Sequence, residues 1–360
     1  MNILVLSNSD DLIASIRPEA EIYVSLAKHG YTIIMMTQSS SAYNSRFVEH
    51  NIKVIDTSFK KKFDFKLIKK IRSIIKEESI DILYATNSRA ISNATFACIG
   101  TNTKLVSYRG TTGGLYRHDP SSYLNALNPR VDSIICVSQA VNNHVSKQLF
   151  SKSTKVVTIY KGHDLAWYNF KPVDLNKFSI SKDAFNVVCV ANDRPIKGLI
   201  YLIKAAKLLS HIKNINIILI GANIKQKSYL DEIDQSGMKE RIHILGYRND
   251  VPQIIKACNV LVQPSLREGL PKVILEALSV STPVIASAIE GNMEIINDEF
   301  NGLIVPVKDS KAISDKIIEL YNSPEKLQIL SNNCIYTIKN KMSHTTTVEN
   351  YIKYFKLLLK

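Results

Sequence analysis

The chain has 360 residues, of which 45% are hydrophobic, and this composition excludes wholesale disorder. At this length two domains are expected, each long enough to bury a core. A formal net charge of +14 favours an anionic partner, which is a nucleotide phosphate, an acidic lipid surface or a nucleic acid. A basic, solvated surface without such a partner is the alternative.

The cysteine pattern and the length of the apolar runs indicate the cellular compartment. Five cysteines are spread along the chain: Cys98, Cys136, Cys189, Cys258 and Cys334. They form no CxxC pair, so we interpret them as small core residues in a reducing compartment. The first apolar run, residues 3–6, is too short for a signal peptide, and no run reaches membrane-spanning length. The sequence predicts a cytoplasmic protein, either soluble or peripheral at the inner face of the cell membrane.

Strand and helix signals alternate through the first half of the chain. Strands are predicted at residues 3–6, 32–36, 53–56, 80–85, 104–108 and 133–137. Helices are predicted at residues 19–29, 65–78 and 90–99. This alternation is typical of a parallel sheet covered by helices on both faces.

The pattern breaks after residue 158 and resumes with a second alternating series. Strands are predicted at residues 185–190, 215–220, 242–245, 260–262 and 284–286, and helices at residues 199–209, 229–237, 272–279 and 348–359. We therefore predict an N-terminal Rossmann-like domain, residues 1–167, and a C-terminal one, residues 168–342. The last helix, within residues 343–360, is expected to pack back on the first domain. Two such domains would place a ligand cleft between the carboxyl ends of their strands.

A strand, a loop, a helix and a second strand follow one another between residues 258 and 294. Pro271 suits the first position of the helix, and Glu268 and Glu276 lie on either side of it. The backbone of Gly269 and Leu270 at the helix N-terminus is suited to an anion. Because helical side chains lean toward the N-terminus, Glu276 can point at the same ligand. We interpret this stretch as a phosphate-binding loop with carboxylates for hydroxyl groups, although two glutamates at this spacing also occur on ordinary helix surfaces.

Two cations occupy the loop between the strand at 185–190 and the helix that follows. Arg194 and Lys197 could neutralise phosphate groups, and Gly198 would let the backbone approach a ligand closely. The alternative is an ordinary solvated loop.

Taken in order, these segments resemble the family 4 (GT4) retaining glycosyltransferases. The resemblance rests on residues 190–198, 242–246, 264–271, 282–284 and 301–306. The family's Glu-x7-Glu signature falls on Glu268 and Glu276. The resemblance covers residues 155–325 and extends more loosely to the N-terminal half. It implies an α/β GT-B fold, in which two Rossmann-like, doubly wound parallel-sheet domains face a central cleft. The first domain would bind the acceptor and the second the nucleotide sugar.

The resemblance also implies roles for individual residues. Arg194 and Lys197 would bind the diphosphate, Glu276 the ribose hydroxyls, and Glu268 would lie beside the donor sugar as a catalytic residue with the two cations. The remaining donor-site residues are Gly246, Tyr247 and Arg248 beside the base, Gly269 and Leu270 with backbone amides facing the phosphates, and Pro271. No Asp-x-Asp motif is evident, so we predict metal independence and no cofactor apart from the nucleotide-sugar substrate.

The chain departs from the family pattern at three places. Residues 8–11 replace the Gly-Gly loop of many relatives, and Arg109 stands where a His is common. Gly291 is followed by Asn292 instead of a second glycine. Acceptor contacts are predicted at the strand ends of the first domain, at Asn87, Arg89, Arg109 and Arg117.

A basic region precedes and includes the predicted helix at 65–78. Its cations are Lys60, Lys61, Lys62, Lys66, Lys69, Lys70 and Arg72. Each such residue near an anionic membrane contributes about 1 kcal/mol, so lipid docking is one interpretation and a solvated face is the other.

The predicted function is transfer of a sugar, from a UDP-linked donor, to a hydroxyl of a cell-envelope glycan or glycolipid of the lipopolysaccharide, capsule or exopolysaccharide type. Two alternatives share the fold: a sugar-phosphate synthase and a nucleotide-sugar hydrolase. A basic nucleic-acid-binding protein is the alternative from another class. This sequence contains no evident stacking-aromatic or helix-turn-helix motif, so no nucleic acid is expected as partner.

Overall fold

The computed structural model describes residues 1–8, 13–151, 153–224 and 226–360, with the side chains of residues 13–15 excluded. The described chain divides into a first unit, Met1–Lys161 with His344–Lys360, and a second unit, Gly162–Ser343. The sequence places these boundaries after residues 167 and 342, close to where the structure divides the chain.

The described part of the first unit forms a parallel seven-stranded sheet. In sheet order its strands are β3 (Lys53–Asp56), β2 (Thr32–Thr37), β1 (Asn2–Leu6), β4 (Ile82–Ala85), β5 (Lys104–Arg109), β6 (Ser133–Cys136) and β7 (Lys155–Thr158). Its helices are α1 (Ile13–Lys28), α2 (Asn44–Glu49), α3 (Phe65–Glu77), α4 (Ser88–Ala97), α5 (Gln139–Gln148) and, from the end of the chain, α13 (His344–Leu358). The central strands are apolar and fully buried, as expected for a parallel sheet covered on both faces.

The described part of the second unit repeats this plan with six parallel strands. Their order is β10 (Ile242–Gly246), β9 (Ile215–Ile220), β8 (Phe185–Val190), β11 (Val260–Gln263), β12 (Val284–Ser287) and β13 (Gly302–Val305). Its helices are α6 (Leu199–Leu209), α7 (Lys227–Gln235), α8 (Val251–Lys256), α9 (Lys272–Ser279), α10 (Glu290–Met293), α11 (Ser310–Asn322) and α12 (Pro324–Asn340).

Both sheets have the Rossmann strand order, in which the direction of winding reverses beside the first strand of the unit. The reversal lies between β1 and β4 in the first unit and between β8 and β11 in the second. Ligands of such sheets bind outside the carboxyl ends of the strands at this switch point. In the second unit, the loops that follow β8 and β11 are therefore the first place to look for a site.

The C-terminal helix α13 closes the core of the first unit. Tyr351 and Phe355 are buried in that core, and the hydroxyl of Tyr351 lies 3.0 Å from the hydroxyl of Tyr84 on β4. The aromatic rings of these three residues meet edge to face. The end of the chain is thus part of the first unit's hydrophobic core.

Several predicted helix boundaries were wrong. Helix α1 begins at Ile13 instead of residue 19, and Pro18 lies inside it. Helix α5 was missed because its polar sequence has a weak apolar period; it is capped instead by Ser138, whose side chain accepts from the N–H of Val141.

Two sequence predictions concern the cysteines, expected in the core, and membrane-spanning segments, of which none was expected. All five cysteines are buried and none is joined to another in the described structure. Over the same residues, no helix is both long enough and apolar enough to cross a membrane.

Candidate functional site

The loops after β8 and β11 touch through their backbones. Gly198 has φ +66°, and a Cβ atom there would lie 2.0 Å from the carbonyl oxygen of Pro264. The N–H of Leu266 donates to the carbonyl of Ile196 at 2.7 Å. Any side chain at position 198 would separate the loops, so glycine is required by both the close approach and the left-handed backbone.

This contact brings Lys197 and Glu268 together. The Lys197 Nζ atom lies 2.7 Å from Glu268 Oε1, and both side chains are mostly buried. The same oxygen accepts from Gln263 Nε2 at 3.0 Å and from Ser265 Oγ at 2.9 Å. Among the described residues, Oε2 of Glu268 accepts no hydrogen bond. The carboxylate is therefore held in place by one oxygen while the other remains able to accept from a ligand hydroxyl.

Helix α9 starts directly after this loop. Pro271 is its N-cap, with an extended backbone, and not the first helical residue as predicted. No side chain of the described structure caps this helix end. Its first N–H groups, together with the preceding backbone of Gly269 and Leu270, form an anion-binding geometry.

Glu276 lies in the same helix and is only 6% exposed. Its Oε1 atom is 3.0 Å from Nζ of Lys272, one turn earlier. Burial raises the pKa of Glu276 above its ordinary value, and the charge of Lys272 opposes this rise only in part. A raised pKa on a buried carboxylate is typical of functional sites, although structural ion pairs can produce it as well.

The short helix α10, which follows β12, supports the loop that carries Glu268. A Cβ atom on Gly291 would lie 2.7 Å from the carbonyl oxygens of both Glu268 and Gly269. The neighbouring Asn292 is fully buried and donates from Nδ2 to the carbonyl of Ser287 at 2.8 Å. Its Oδ1 atom is buried without a partner in the part of the chain that the structure describes. The second glycine of the family pattern is thus replaced by a buried amide.

The other predicted donor-site residues differ in their exposure and in their contacts with the protein. Arg194 is exposed, and its Nε donates to Asn192 Oδ1 at 3.1 Å. Gly246 adopts a left-handed φ of +69°, and the Tyr247 side chain beyond it is 67% exposed. Arg248, in contrast, is paired with a carboxylate of the protein.

The guanidinium of Arg248 pairs with the carboxylate of Asp250 through two hydrogen bonds, of 2.8 and 2.7 Å. It also lies 4.9 Å from the centre of the Phe178 ring. Bidentate pairing of this kind holds the guanidinium of Arg248 in place.

The predicted acceptor residues lie at the carboxyl ends of strands in the first unit. Asn87 caps α4 by accepting from the N–H of Ala90 at 2.9 Å, and its Nδ2 is buried without a partner in the described structure. Arg89, in the first turn of α4, is exposed. Capping of α4 is therefore a structural role for Asn87.

The two arginines farther along fold onto protein carbonyls. Arg109 donates from Nε to the carbonyl of Thr111 at 3.1 Å, and burial lowers its pKa. Arg117 donates to the carbonyl of Lys147 and lies 5.2 Å from the centre of the Phe150 ring. These contacts hold both guanidinium groups against the protein.

Comparison with known proteins decides the family. The family described as "Glycosyl transferases group 1" matches residues 170–336, and "Glycosyltransferase Family 4" matches residues 20–167. Together these matches cover both units. The chain belongs to the family 4 glycosyltransferases.

Two relatives of this family 4 chain have names that include a lipid-linked sugar. One is the UDP-Gal:alpha-D-GlcNAc-diphosphoundecaprenol alpha-1,3-galactosyltransferase of Escherichia coli, 30% identical over 58% of this chain and 55% of that protein. Another is the N,N'-diacetylbacillosaminyl-diphospho-undecaprenol alpha-1,3-N-acetylgalactosaminyltransferase of Campylobacter jejuni, 28% identical over 54% of this chain and 47% of that protein. The matches to these two relatives thus span about half of their length.

Solved structures confirm the fold. A glycosyltransferase from Rickettsia africae superposes with a TM-score of 0.83 at 18% identity, over 100% of this chain and 98% of that one. The Anabaena protein HepE, crystallised with UDP and glucose, has a TM-score of 0.80 at 21% identity, over 99% of this chain and 100% of that one. The predicted GT-B class, with two Rossmann-like parallel-sheet domains, is therefore correct.

Sequence reasoning missed a polar cluster in the first unit of this family 4 chain. Lys161 Nζ lies 2.9 Å from Glu19 Oε2, and Glu19 Oε1 accepts from Ser7 Oγ and Tyr23 OH, each at 3.0 Å. The lysine also lies 4.3 Å from the centre of the Tyr108 ring. Ser7 and Lys161 closely follow strands β1 and β7, a position that could have signalled the cluster.

The electrostatics of this cluster favour a fixed ion pair. Burial alone would raise the pKa of Glu19, but the charge of Lys161 and the hydrogen bonds to its carboxylate lower it below the ordinary value. For Lys161 the effect of burial is likewise outweighed by Glu19, and its pKa is raised. The neighbouring residues 9–11, part of the loop that replaces the family's Gly-Gly, lie outside the described residues.

Proposed function

We propose that this chain is a metal-independent, retaining glycosyltransferase that uses a UDP-sugar and glycosylates a hydroxyl of a cell-envelope glycan or glycolipid. The observation that carries the proposal is the Lys197–Glu268 pair just before α9, the helix that carries the buried Glu276, at the switch point of the second sheet. Family membership supports the reaction class.

The departing group in such a reaction is a nucleoside diphosphate, whose negative charge grows as its bond to the sugar breaks. Lys197 and the uncapped N-terminus of α9 supply positive charge that is already in place. Arg194, exposed on the same loop as Lys197, is available to add a second cation. We propose that these groups do the work that a metal ion does in other transferases. The name of the Escherichia coli relative supports UDP as the nucleotide.

The two glutamates are assigned separate roles. Glu276 accepts hydrogen bonds from the ribose hydroxyls, for which a buried, ionised carboxylate is a strong acceptor. Glu268 turns its free Oε2 toward a hydroxyl of the donor sugar, while Oε1 stays bound to Lys197. This shared carboxylate would couple the orientation of the sugar to the position of the cation that binds the diphosphate.

Retention requires that the new bond to the anomeric carbon forms on the face from which the diphosphate leaves. The bond between the anomeric carbon and the phosphate oxygen breaks, the acceptor oxygen bonds to that carbon, and the acceptor proton passes to the departing diphosphate. No protein base is needed in this scheme, so the protein contributes orientation and charge stabilisation.

A lipid-linked acceptor is favoured by the names of the Escherichia coli and Campylobacter jejuni relatives, both of which include a diphosphoundecaprenol. We assign acceptor binding to the carboxyl edge of the first sheet. Glu19 and Lys161 offer an acceptor and a donor of hydrogen bonds there, and Arg109 lies at the end of β5.

The test is a transfer assay with a panel of UDP-sugars and a sugar linked through diphosphate to a polyprenol. We expect one UDP-sugar to yield a lengthened glycolipid with the donor's anomeric configuration, read by nuclear magnetic resonance. An inverted product would contradict retention. Free sugar released equally with and without acceptor would identify a hydrolase instead of a transferase.

A further inference from the structure

A basic and aromatic surface lies where the first unit's chain leaves β3 and enters α3. We call it the Lys-Phe patch; it consists of Lys60, Lys61, Lys62, Phe63, Phe65, Lys66 and Lys69, all exposed. Phe63 is 55% and Phe65 is 72% exposed. Large aromatic side chains this exposed, within a run of lysines, are unusual on a surface that meets only water.

The exposure of these rings is built into the fold. Asn93 of α4 is fully buried, accepts from the N–H of Asp64 and donates to the carbonyl of Lys61, both at 2.9 Å. Phe63 is further held by an edge contact with Phe96, at 5.2 Å between ring centres. The loop is thus fixed in a shape that presents its rings outward.

Helix α3 has a separate face that packs on the unit's core. Leu67, Ile71, Ile74 and Ile75 are buried on that side. Phe65 and Lys69, which are four residues apart, share the opposite side. The Lys-Phe patch is therefore not an extension of the core.

We propose that the Lys-Phe patch docks on an anionic phospholipid bilayer. Its lysines would bind headgroup phosphates, and the rings of Phe63 and Phe65 would enter the boundary between headgroups and acyl chains. Two exposed phenyl rings beside the lysines fit a bilayer, which offers an apolar phase behind its phosphates, better than a nucleic-acid duplex, whose phosphates the lysines alone would bind.

The place of the patch in the first unit agrees with a lipid-linked acceptor. The loop of the patch follows the carboxyl end of β3, at the sheet edge where β4 and β5 also end. A docked enzyme would therefore receive a lipid-borne sugar at the sheet edge assigned to acceptor binding. This last step rests on the proposed function, whereas bilayer binding itself requires neither donor nor acceptor.

The test is co-sedimentation of the full chain with vesicles of phosphatidylcholine alone or mixed with phosphatidylglycerol. We expect binding to the mixed vesicles only, weakened at least about tenfold in a Lys60→Glu, Lys61→Glu, Lys62→Glu variant. The matched control is Lys177→Glu, Lys182→Glu, Lys213→Glu, which makes the same charge change at exposed lysines of the second unit. Equal losses in both variants would overturn the assignment to the patch.

The aromatic part of the proposal has its own control. Phe63→Ser with Phe65→Ser should weaken vesicle binding, whereas Phe150→Ser, at a ring that is 68% exposed elsewhere in the first unit, should not. Unchanged binding by the double variant would overturn insertion of the rings. Wild-type protein that ignores mixed vesicles but binds a duplex oligonucleotide with steep salt dependence would overturn bilayer docking itself.

Calorimetry of UDP binding with the same proteins separates this inference from the proposed function. Patch variants that fold, shown by circular dichroism, should bind UDP as the wild type does. Wild-type protein that binds vesicles but no nucleotide would contradict the proposed function and leave the docking surface standing.

Discussion

Glu276 is a carboxylate that the fold buries beside a lysine, and this burial destabilises the charged form. Because its pKa in the folded state lies above the ordinary value of 4.5, the native state holds more protons than the unfolded state just above that pH. Its contribution to stability is thus retained below pH 4.5 and lost as the pH rises through the folded pKa. A site that lowers stability at neutral pH is expected where function requires the charge.

We predict that Glu276→Gln unfolds at a higher temperature than the wild type at neutral pH, because the amide removes a buried charge and keeps the shape. The difference should vanish as the pH falls below about 4.5. The same variant should lose the stabilisation that UDP gives the wild type. Thermal unfolding across this pH range, with and without UDP, checks both parts, with exposed Glu240→Gln as control. A variant less stable than the wild type at neutral pH, yet equally stabilised by UDP, contradicts the assignment.

We predict a different effect for a change at Glu268, because this carboxylate contacts Lys197 and is also assigned to the donor sugar. Glu268→Gln keeps an oxygen for Lys197 but loses the charge that anchors it. We expect transfer turnover to fall at least about 100-fold, the scale seen when a preorganised charge contact is removed, while UDP binds within about threefold of the wild type. Steady-state kinetics and calorimetry measure the two quantities. Normal turnover with weakened UDP binding would reverse the roles given to the two glutamates.

At the scale of elements, the candidate site depends on the loops that follow β8 and β11 and on helix α10 after β12, which touch through their backbones. Glycines at 198 and 291 permit the contacts, since a Cβ atom at either position would meet a carbonyl oxygen at 2.0 or 2.7 Å. The position of Glu268 is therefore set by backbone contacts with neighbouring loops as well as by its own sequence.

We predict that Gly291→Ala displaces the backbone of Glu268 and Gly269 and weakens UDP binding at least about tenfold, since misplacing a binding group by a fraction of an ångström has such effects. The control is Gly302→Ala, where a Cβ atom would lie 2.4 Å from the carbonyl of Val284 at the amino end of the same sheet. Both variants should be less stable, but Gly302→Ala should keep UDP affinity at temperatures where it is folded. Equal losses of affinity would show that general destabilisation, not loop position, is responsible.

The elements that could be predicted from the sequence are those with strong local signals. Strand β8, helix α6, strand β9 and helix α9 have the predicted bounds because apolar runs and breakers mark their ends. The pairing of Lys197 with Glu268 could not be derived from local pattern, since the two residues are 71 positions apart and meet only through the parallel sheet. The family resemblance named both residues but not their contact.

At the scale of the whole molecule, each unit has its own buried core and the same Rossmann strand order. The second unit carries the proposed donor site, and the first carries the Glu19–Lys161 pair and the Lys-Phe patch. This division matches the sequence signals, which were stronger for the proposed donor site than for the proposed acceptor site. Phosphate recognition uses a short local pattern, whereas Glu19 and Lys161 are 142 residues apart and meet only in the fold.

The proposed metal independence has a direct consequence for binding. If Lys197, Arg194 and the start of α9 neutralise the diphosphate, UDP should bind equally well with a chelator and with added Mg²⁺ or Mn²⁺. Calorimetric titration under the three conditions should give affinities within about threefold of each other. A tenfold or greater loss in chelator, restored by either ion, would contradict this part of the account.

The central claim is that the start of α9 and the loops beside it bind the diphosphate of a nucleotide sugar. Its most direct test is calorimetric titration of UDP into the wild type, Lys197→Met and Lys207→Met, the last being an exposed lysine of the neighbouring helix α6. The account predicts one site in the wild type, binding weakened about 10- to 100-fold in Lys197→Met by loss of a charge-assisted bond, and unchanged binding in Lys207→Met. Wild-type affinity in Lys197→Met, or no UDP binding by the wild type, would contradict it.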